Sequence, residues 1–207
     1  MIPFITNFKS LDAPSKWIFA YVICSVVFAT GSWTINKIFG NNMWFFSMMH
    51  VIQFGILSAF YWYCIKNPAI RSFIKFMPFV MLVIFSLDIF KLEGIKSYNS
   101  ISAGFKSIVI LAYGAIYFLQ LLQDKSLLER SIYINSLHTF WYNAGIFLYS
   151  CTSFFFTISY NLVQGSKVGR FPVIRIILST NYIVATITMI LLYIGLTKYK
   201  KSRYAAS

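Results

Sequence analysis

The stretch Leu137–Tyr160, LHTFWYNAGIFLYSCTSFFFTISY, decides the fold that this sequence predicts. It carries no charge apart from a proton that His138 can take up, and as a helix it is long enough to cross about 30 Å of hydrocarbon. A helix that contacts only lipid gains nothing from a polar face, so we expect its polar face to contact other helices or a cavity. At about 100° per residue, the side chains within about 40° of one line are those of His138, Tyr142, Gly145, Tyr149 and Thr152.

The composition of the whole chain agrees with a membrane protein. Of its 207 residues, 58% are hydrophobic and 11% are charged, whereas soluble domains average about 45–50% and about 25%. The net charge of +13 comes from 18 Lys and Arg residues against 5 Asp and Glu residues. The basic residues lie mainly between hydrophobic segments, which is typical of loops beside anionic headgroups and argues against nucleic-acid binding.

The hydrophobic segments predict an all-α, polytopic membrane bundle of six transmembrane helices, with seven as the alternative. The predicted spans are residues 17–38, 43–65, 72–90, 101–122, 137–160 and 173–196, in a single domain over residues 1–207. A re-entrant segment is the alternative for the third span, which contains Pro78 and whose uninterrupted apolar part is short. Eleven of the 18 basic residues fall on the side of both termini, which predicts that the termini are cytoplasmic.

Polar side chains inside a membrane are costly, so they mark candidate interior positions. Five of the six predicted spans carry a stripe of polar or small residues. Such stripes either pack helices together through small residues and hydrogen bonds, or surround a polar, aromatic-lined cavity, and the pattern leaves both interpretations open. The candidate ligand-binding residues are His50, Gln53, Asp88, Lys106, Tyr113, Tyr117, Tyr142, Tyr149 and Asn181.

Asp88 is the only acidic residue within a hydrophobic run, and Lys106 lies at a similar predicted depth on the next span. The two side chains either form an ion pair or reach the interface separately without meeting. His50 falls in the outer half of the second predicted span and His138 at the inner end of the fifth, which argues against a shared metal ion. Each is interpreted as a hydrogen-bonded histidine, and a ligand contact or proton relay at His50 is the alternative.

The sequence lacks the motifs of membrane enzymes. It contains no HExxH, no GxSxG, no pair of intramembrane aspartates and no phosphate-binding loop. Cys24, Cys64 and Cys151 all lie within hydrophobic segments and form no CxxC pair, so we expect small buried side chains there. The sequence thus predicts no catalytic residue, no metal site and no cofactor, and it favours a protein that is not an enzyme.

Two segments near the C-terminus carry a resemblance to known proteins: HTFWYNAGIFLYSCTSFFF at residues 138–156 and NYIVATITMILLYIGLTKYKK at residues 181–201. They resemble small, mostly uncharacterised bacterial inner-membrane proteins with seven helices. In that group the penultimate helix carries Phe-Trp, a small residue and Tyr, and the last helix contains Asn and a Tyr-x-x-Gly-like turn. The resemblance implies a sensory or accessory role and a first helix that has no counterpart here. The matching residues are Phe140, Trp141, Gly145, Tyr149, Asn181, Tyr193 and Gly195.

These features favour a non-enzymatic, multi-pass protein of the inner (plasma) membrane with a polar, aromatic-lined interior, acting as a sensor, receptor or accessory subunit. A small-solute transporter is the first alternative, with Asp88, Lys106 and His50 as candidates for coupling or substrate contact. A structural subunit of a larger membrane complex is the second. The expected partners are the lipid bilayer, a small-molecule or lipid ligand, and a membrane protein or a second copy of the chain.

Overall fold

Helices make up almost all of the described part of the chain. The computed structural model describes residues 5, 8–95, 97–125, 127, 133–165 and 170–204, and within them it contains no strand, which confirms the all-α prediction. A π-helical turn, Asp88–Leu92, continues the third helix, and 3-10 turns lie at Phe8–Ser10 and Ile134–Ser136. The long helices are α1 (Ala13–Phe39), α2 (Met43–Cys64), α3 (Pro68–Leu87), α4 (Ser100–Gln123), α5 (His138–Gly165) and α6 (Arg170–Tyr204).

Five of these helices are long and apolar enough to cross a membrane, which fits a membrane-embedded protein. They are α1, α2, α3 with its π turn, α4, and the segment Ser179–Tyr199 of α6. Helix α5, the fifth predicted span, is not among the spans found in the described residues, although its 28 residues extend about 42 Å. Its polar face, with residues such as His138 and Asn143, reduces its apolar character. Five candidate spans are therefore supported, and the prediction of six is not confirmed.

Helix α3 begins before the start that the sequence analysis placed at residue 72. The Asn67 side chain accepts a hydrogen bond from the Ala69 N–H at 2.9 Å, and Pro68 occupies the first turn, where a missing N–H does no harm. Pro78 consequently lies in the middle of the helix rather than near its start. The helix and its π turn together contain 25 residues, or about 37 Å, which is enough to cross the membrane.

One face of α3 is buried and the others are exposed. The buried positions are Ile74 and Met81, and Asp88 continues the same spacing of seven residues into the π turn. Most of the large side chains elsewhere on the helix are apolar and exposed, including Phe73, Phe76, Phe79, Leu82 and Val83. A single narrow buried stripe on an otherwise apolar helix is typical of a span that contacts lipid on most of its circumference.

The chain divides into two units, Met1–Val109 and Ile110–Ser207. In the first unit, α1 packs against α2 around a cluster that includes Cys24, Phe45 and Met49, and α2 packs against α3. In the second unit, α5 and α6 form an extensively packed pair. Helix α4 starts in the first unit and ends in the second.

The polar face of α5 packs closely against α6. A Cβ atom added to Gly195 would lie 2.5 Å from the Tyr142 ring, so only glycine permits this approach without a shift. Further along, the Thr188 hydroxyl donates a hydrogen bond of 3.1 Å to the Gly145 carbonyl oxygen. Small residues and hydroxyl-to-backbone bonds are the usual means by which membrane helices associate. The polar stripe was expected either to pack against another helix or to line a cavity. The described contacts of Tyr142 and Gly145 with α6 correspond to helix packing.

We expect Gly195→Ala to lower the free energy of unfolding by about 1–3 kcal/mol, because the added methyl group overlaps a buried ring. The measurement is a titration of detergent micelles with sodium dodecyl sulfate, followed by circular dichroism. Gly55→Ala is the matched control, since its added Cβ has no atom within 4 Å, and it is expected to leave stability unchanged or to raise it by up to about 1 kcal/mol. Equal stability of the two variants would contradict the close packing of α5 on α6.

Candidate functional site

Lys106 lies in the second turn of α4 and is only 6% exposed. Its Nζ atom lies 2.7 Å from His50 Nδ1 and donates a hydrogen bond of 3.1 Å to Gln53 Oε1. Both partners belong to α2, where a spacing of three residues places them on adjacent turns of one side. The lysine is therefore bound inside the first unit by two neutral acceptors.

Polar and aromatic groups surround this lysine. The Gln53 side-chain amide donates a long hydrogen bond of 3.5 Å to the Ser25 hydroxyl, which links the site to α1. The Phe28 and Phe46 rings pack edge-on against the His50 ring, with centroid separations of 5.5 and 5.1 Å. Groups from α1, α2 and α4 thus form a polar centre with aromatic walls. We call Lys106, His50 and Gln53 the lysine site.

The lysine site retains unused donors. An ammonium group has three N–H bonds, and in the described part of the chain Lys106 directs two of them at protein acceptors. Because His50 Nδ1 accepts from the ammonium, the proton of the neutral ring is assigned to Nε2. That Nε2 atom is buried and has no hydrogen-bond partner among the described residues. The site can therefore bind an acceptor, and an anion would also balance the buried charge.

Asp88 binds the N-terminus of α4 rather than Lys106. Its Oδ2 accepts a hydrogen bond of 2.9 Å from the Ser102 backbone N–H, and its side chain is fully buried. Glu93 accepts from both the backbone N–H and the hydroxyl of Ser100. A helix N-terminus has unsatisfied N–H groups and a partial positive charge, so both carboxylates are favoured there. Lys106 lies one turn further along α4 and has other partners.

A second polar pair joins the same two helices. The Ser47 hydroxyl on α2 donates to Asn99 Oδ1, immediately before α4, at 2.7 Å. Gln53 lies about two turns beyond Ser47, just as Lys106 lies about two turns beyond Asn99. The two parallel segments therefore contact each other through successive polar pairs. Polar contacts at two levels fix how far one helix is shifted along the other.

The other predicted site residues lie in the second unit, where they make packing contacts. The Tyr117 hydroxyl donates to the Thr139 hydroxyl at 2.6 Å and so joins α4 to α5. The Tyr149 side chain on α5 lies near the Asn181 side chain on α6. Members of this group are Tyr113, Tyr117, Tyr142, Tyr149 and Asn181.

Glu93, Asn99 and Ser102 were not among the site residues predicted from the sequence. Asn99 is nevertheless a favourable residue type for the position before a helix, and it precedes Ser100, where α4 begins. An acidic residue in the loop before a helix can accept hydrogen bonds from the first N–H groups of that helix, as Glu93 does from Ser100. The hydrogen bond of Ser102 comes from its backbone, so its residue type gives no indication of it.

Comparison with known proteins does not assign the lysine site. No protein-family model matches this chain, and no curated protein or solved structure shows a significant similarity to it. Within the described residues, no group of three or more His, Cys, Asp or Glu side chains is placed to hold a metal ion. The geometry of the lysine site therefore carries the functional proposal, and the resemblance to seven-helix bacterial proteins stays a prediction.

Replacing Asp88 tests its role as a cap of α4. Asp88→Ala is expected to cost about 1–3 kcal/mol of unfolding free energy, because it leaves the buried Ser102 N–H without an acceptor. Asp88→Asn is expected to cost less, since its amide oxygen can still accept the bond and only the interaction of the charge with the helix dipole, about 0.3–1 kcal/mol, is lost. Unfolding of the purified variants in mixed micelles measures both values.

Two controls accompany this experiment. Ser86→Ala removes an exposed hydroxyl that donates to the Leu82 carbonyl oxygen of its own helix, and is expected to change stability by less than about 0.5 kcal/mol. The double variant Asp88→Asn, Lys106→Met is expected to show additive effects. A coupling energy above about 1 kcal/mol would instead indicate that the two residues form an ion pair.

Proposed function

We propose that this protein is a non-enzymatic integral membrane protein that binds a small anion at the lysine site and acts as a sensor, receptor or accessory subunit. The proposal includes the inner membrane as its location and cytoplasmic termini, which the distribution of Lys and Arg supports. The proposed ligand is small and monovalent, because one lysine supplies the charge and one imidazole N–H supplies a further donor.

The observation that carries the proposal is a buried ammonium whose hydrogen-bond partners among the described residues are neutral. Lys106 is nearly inaccessible, and its hydrogen-bond partners in the described part of the chain are His50 and Gln53. Removing a cation from water is costly unless a counter-charge or several hydrogen bonds compensate it. A buried lysine with a structural role is expected to have an acidic partner. Lys106 instead donates to two neutral acceptors, so its positive charge has no counter-charge among its hydrogen-bond partners in the described part of the chain. An anionic ligand supplies the missing charge.

Anion binding is tested with small salts and purified protein in detergent. We expect sodium acetate or sodium nitrate to raise the Tm of the wild type in a saturable manner. A ligand at 100 times its Kd contributes about 2.7 kcal/mol to the stability of the folded state. Lys106→Met is expected to abolish the saturable rise, because methionine keeps an unbranched chain of similar length and removes the charge.

Lys91→Gln is the matched control, since it removes an exposed lysine from the π turn and is expected to keep the response. General salt effects change the Tm of all variants alike and do not saturate. Two results would contradict the proposal: no saturable response of the wild type to either anion, or an equal response in Lys106→Met.

A small-solute transporter is the second candidate, and one specific distance favours it. Lys106 Nζ and His50 Nδ1 are 2.7 Å apart, so two titratable nitrogen atoms share a hydrogen bond inside a membrane span. Proton transfer between two groups requires such a contact. A site that binds an anion and transfers a proton could couple the transport of the anion to the transport of the proton across the membrane.

Transport is tested in proteoliposomes that contain a pH-sensitive dye. If the protein is a coupled transporter, an imposed nitrate gradient is expected to move protons through the wild type, because anion and proton share the lysine site. His50→Gln is expected to stop proton movement while the nitrate-dependent rise of Tm persists. Nitrate binding without proton movement in the wild type would instead favour the sensor.

A further inference from the structure

We infer that Trp62, Arg71 and Lys75 form a binding site for the headgroup of an anionic phospholipid, independent of the lysine site. The three residues lie where α2 ends and α3 begins. Trp62 is twelve residues beyond His50 on α2, which corresponds to about 18 Å along the helix axis. Trp62 therefore lies near the C-terminal end of α2, whereas the lysine site lies in its first half.

Two cations contact one indole ring. The Arg71 Cζ atom lies 4.2 Å from the centroid of the Trp62 ring, and the Lys75 Nζ atom lies 5.1 Å from it. Cation–π attraction holds each cation, but the two positive charges repel each other. The Arg71 Nε atom is also buried without a hydrogen-bond partner among the described residues. A phosphate group near both cations would reduce the repulsion and supply acceptors.

The same face of α3 continues as an apolar surface. At about 100° per residue, Arg71, Lys75, Phe79 and Leu82 lie within about 40° of one line. Phe79 is 61% exposed and Leu82 is 49% exposed. From Arg71 to Leu82 the face extends about 16 Å, with its cations at one end and its apolar side chains further along the helix. A phospholipid has the same order of parts, since its charged phosphate is followed by an acyl chain.

The local sequence favours an anionic partner. Between Cys64 and Lys75 the chain has three basic residues and no acidic residue. Asp12, at the N-cap of α1, accepts a hydrogen bond from the Ser15 N–H with its carboxylate. Basic residues beside the end of a membrane span attract acidic lipids of the adjacent leaflet. Free phosphate would use the cations alone and would leave the exposed apolar surface uncovered.

The test is native mass spectrometry of the purified protein in detergent with added dioleoyl-phosphatidylglycerol or dioleoyl-phosphatidylcholine. The wild type is expected to bind the anionic lipid more tightly than the zwitterionic one. Lys75→Gln is expected to weaken phosphatidylglycerol binding about fivefold and Arg71→Gln with Lys75→Gln about thirtyfold. Because Lys75 is exposed, its single substitution leaves the fold intact and keeps the test valid.

The double variant Lys37→Gln, Lys91→Gln is the matched control. It removes Lys37 from the last turn of α1 and Lys91 from the π turn that follows α3. Like the cations of the inferred site, Lys37 contacts an indole ring, with its Nζ atom 4.1 Å from the centroid of Trp33. We expect it to keep wild-type lipid binding. Equal loss in this control would overturn the inference, because it would indicate a general charge effect. Displacement of the lipid by about 10 mM inorganic phosphate, a large excess over the lipid, would also overturn the inference, since the site would then bind free phosphate.

Discussion

The hydrogen bond from the Ser102 N–H to Asp88 Oδ2 determines where α4 begins, and the position of the lysine site depends on it. A helix that starts inside a membrane protein must satisfy N–H groups that have no partner within the helix. Asp88 and Glu93 supply acceptors for this end, and the end in turn stabilises their charges. Lys106 follows Ser102 by one turn on the same side of α4, and there it reaches His50 and Gln53 on α2.

This arrangement separates the buried charges of opposite sign. The partial positive charge of a helix N-terminus stabilises Asp88, whereas neutral side chains bind Lys106. An ion pair between them would have satisfied both charges and left a structural cross-link. Because Asp88 has another partner, it does not balance the charge of Lys106, and the proposed function assigns that role to an external anion. The proposed function depends on this difference.

Much of the architecture could be predicted from local patterns, and its specific contacts could not. Long apolar runs predicted α1, α2 and α4 with nearly correct limits, because a turn or a polar segment ends each run. Asp88 stood out as the only acidic residue within a hydrophobic run, but its sequence position does not identify the group on the facing helix. Similar depth left an ion pair between Asp88 and Lys106 as one of two possibilities, whereas a backbone N–H binds the carboxylate instead. The stripe on α5 was visible, but its packing against α6 depends on how closely Gly195 lets the helices approach.

Helix α2 connects the two proposed sites. The lysine site involves its first half, through His50 and Gln53, and the inferred lipid site involves Trp62 near its end. An α-helix is stiff along its axis, because every turn is hydrogen-bonded to the next. Ligands at two sites affect each other only when they favour different positions of a shared element. An anion that balances Lys106 and a lipid that contacts Trp62 and Arg71 would both act on the placement of α2, so this helix is the part of the first unit through which a sensor of this kind would respond to its membrane.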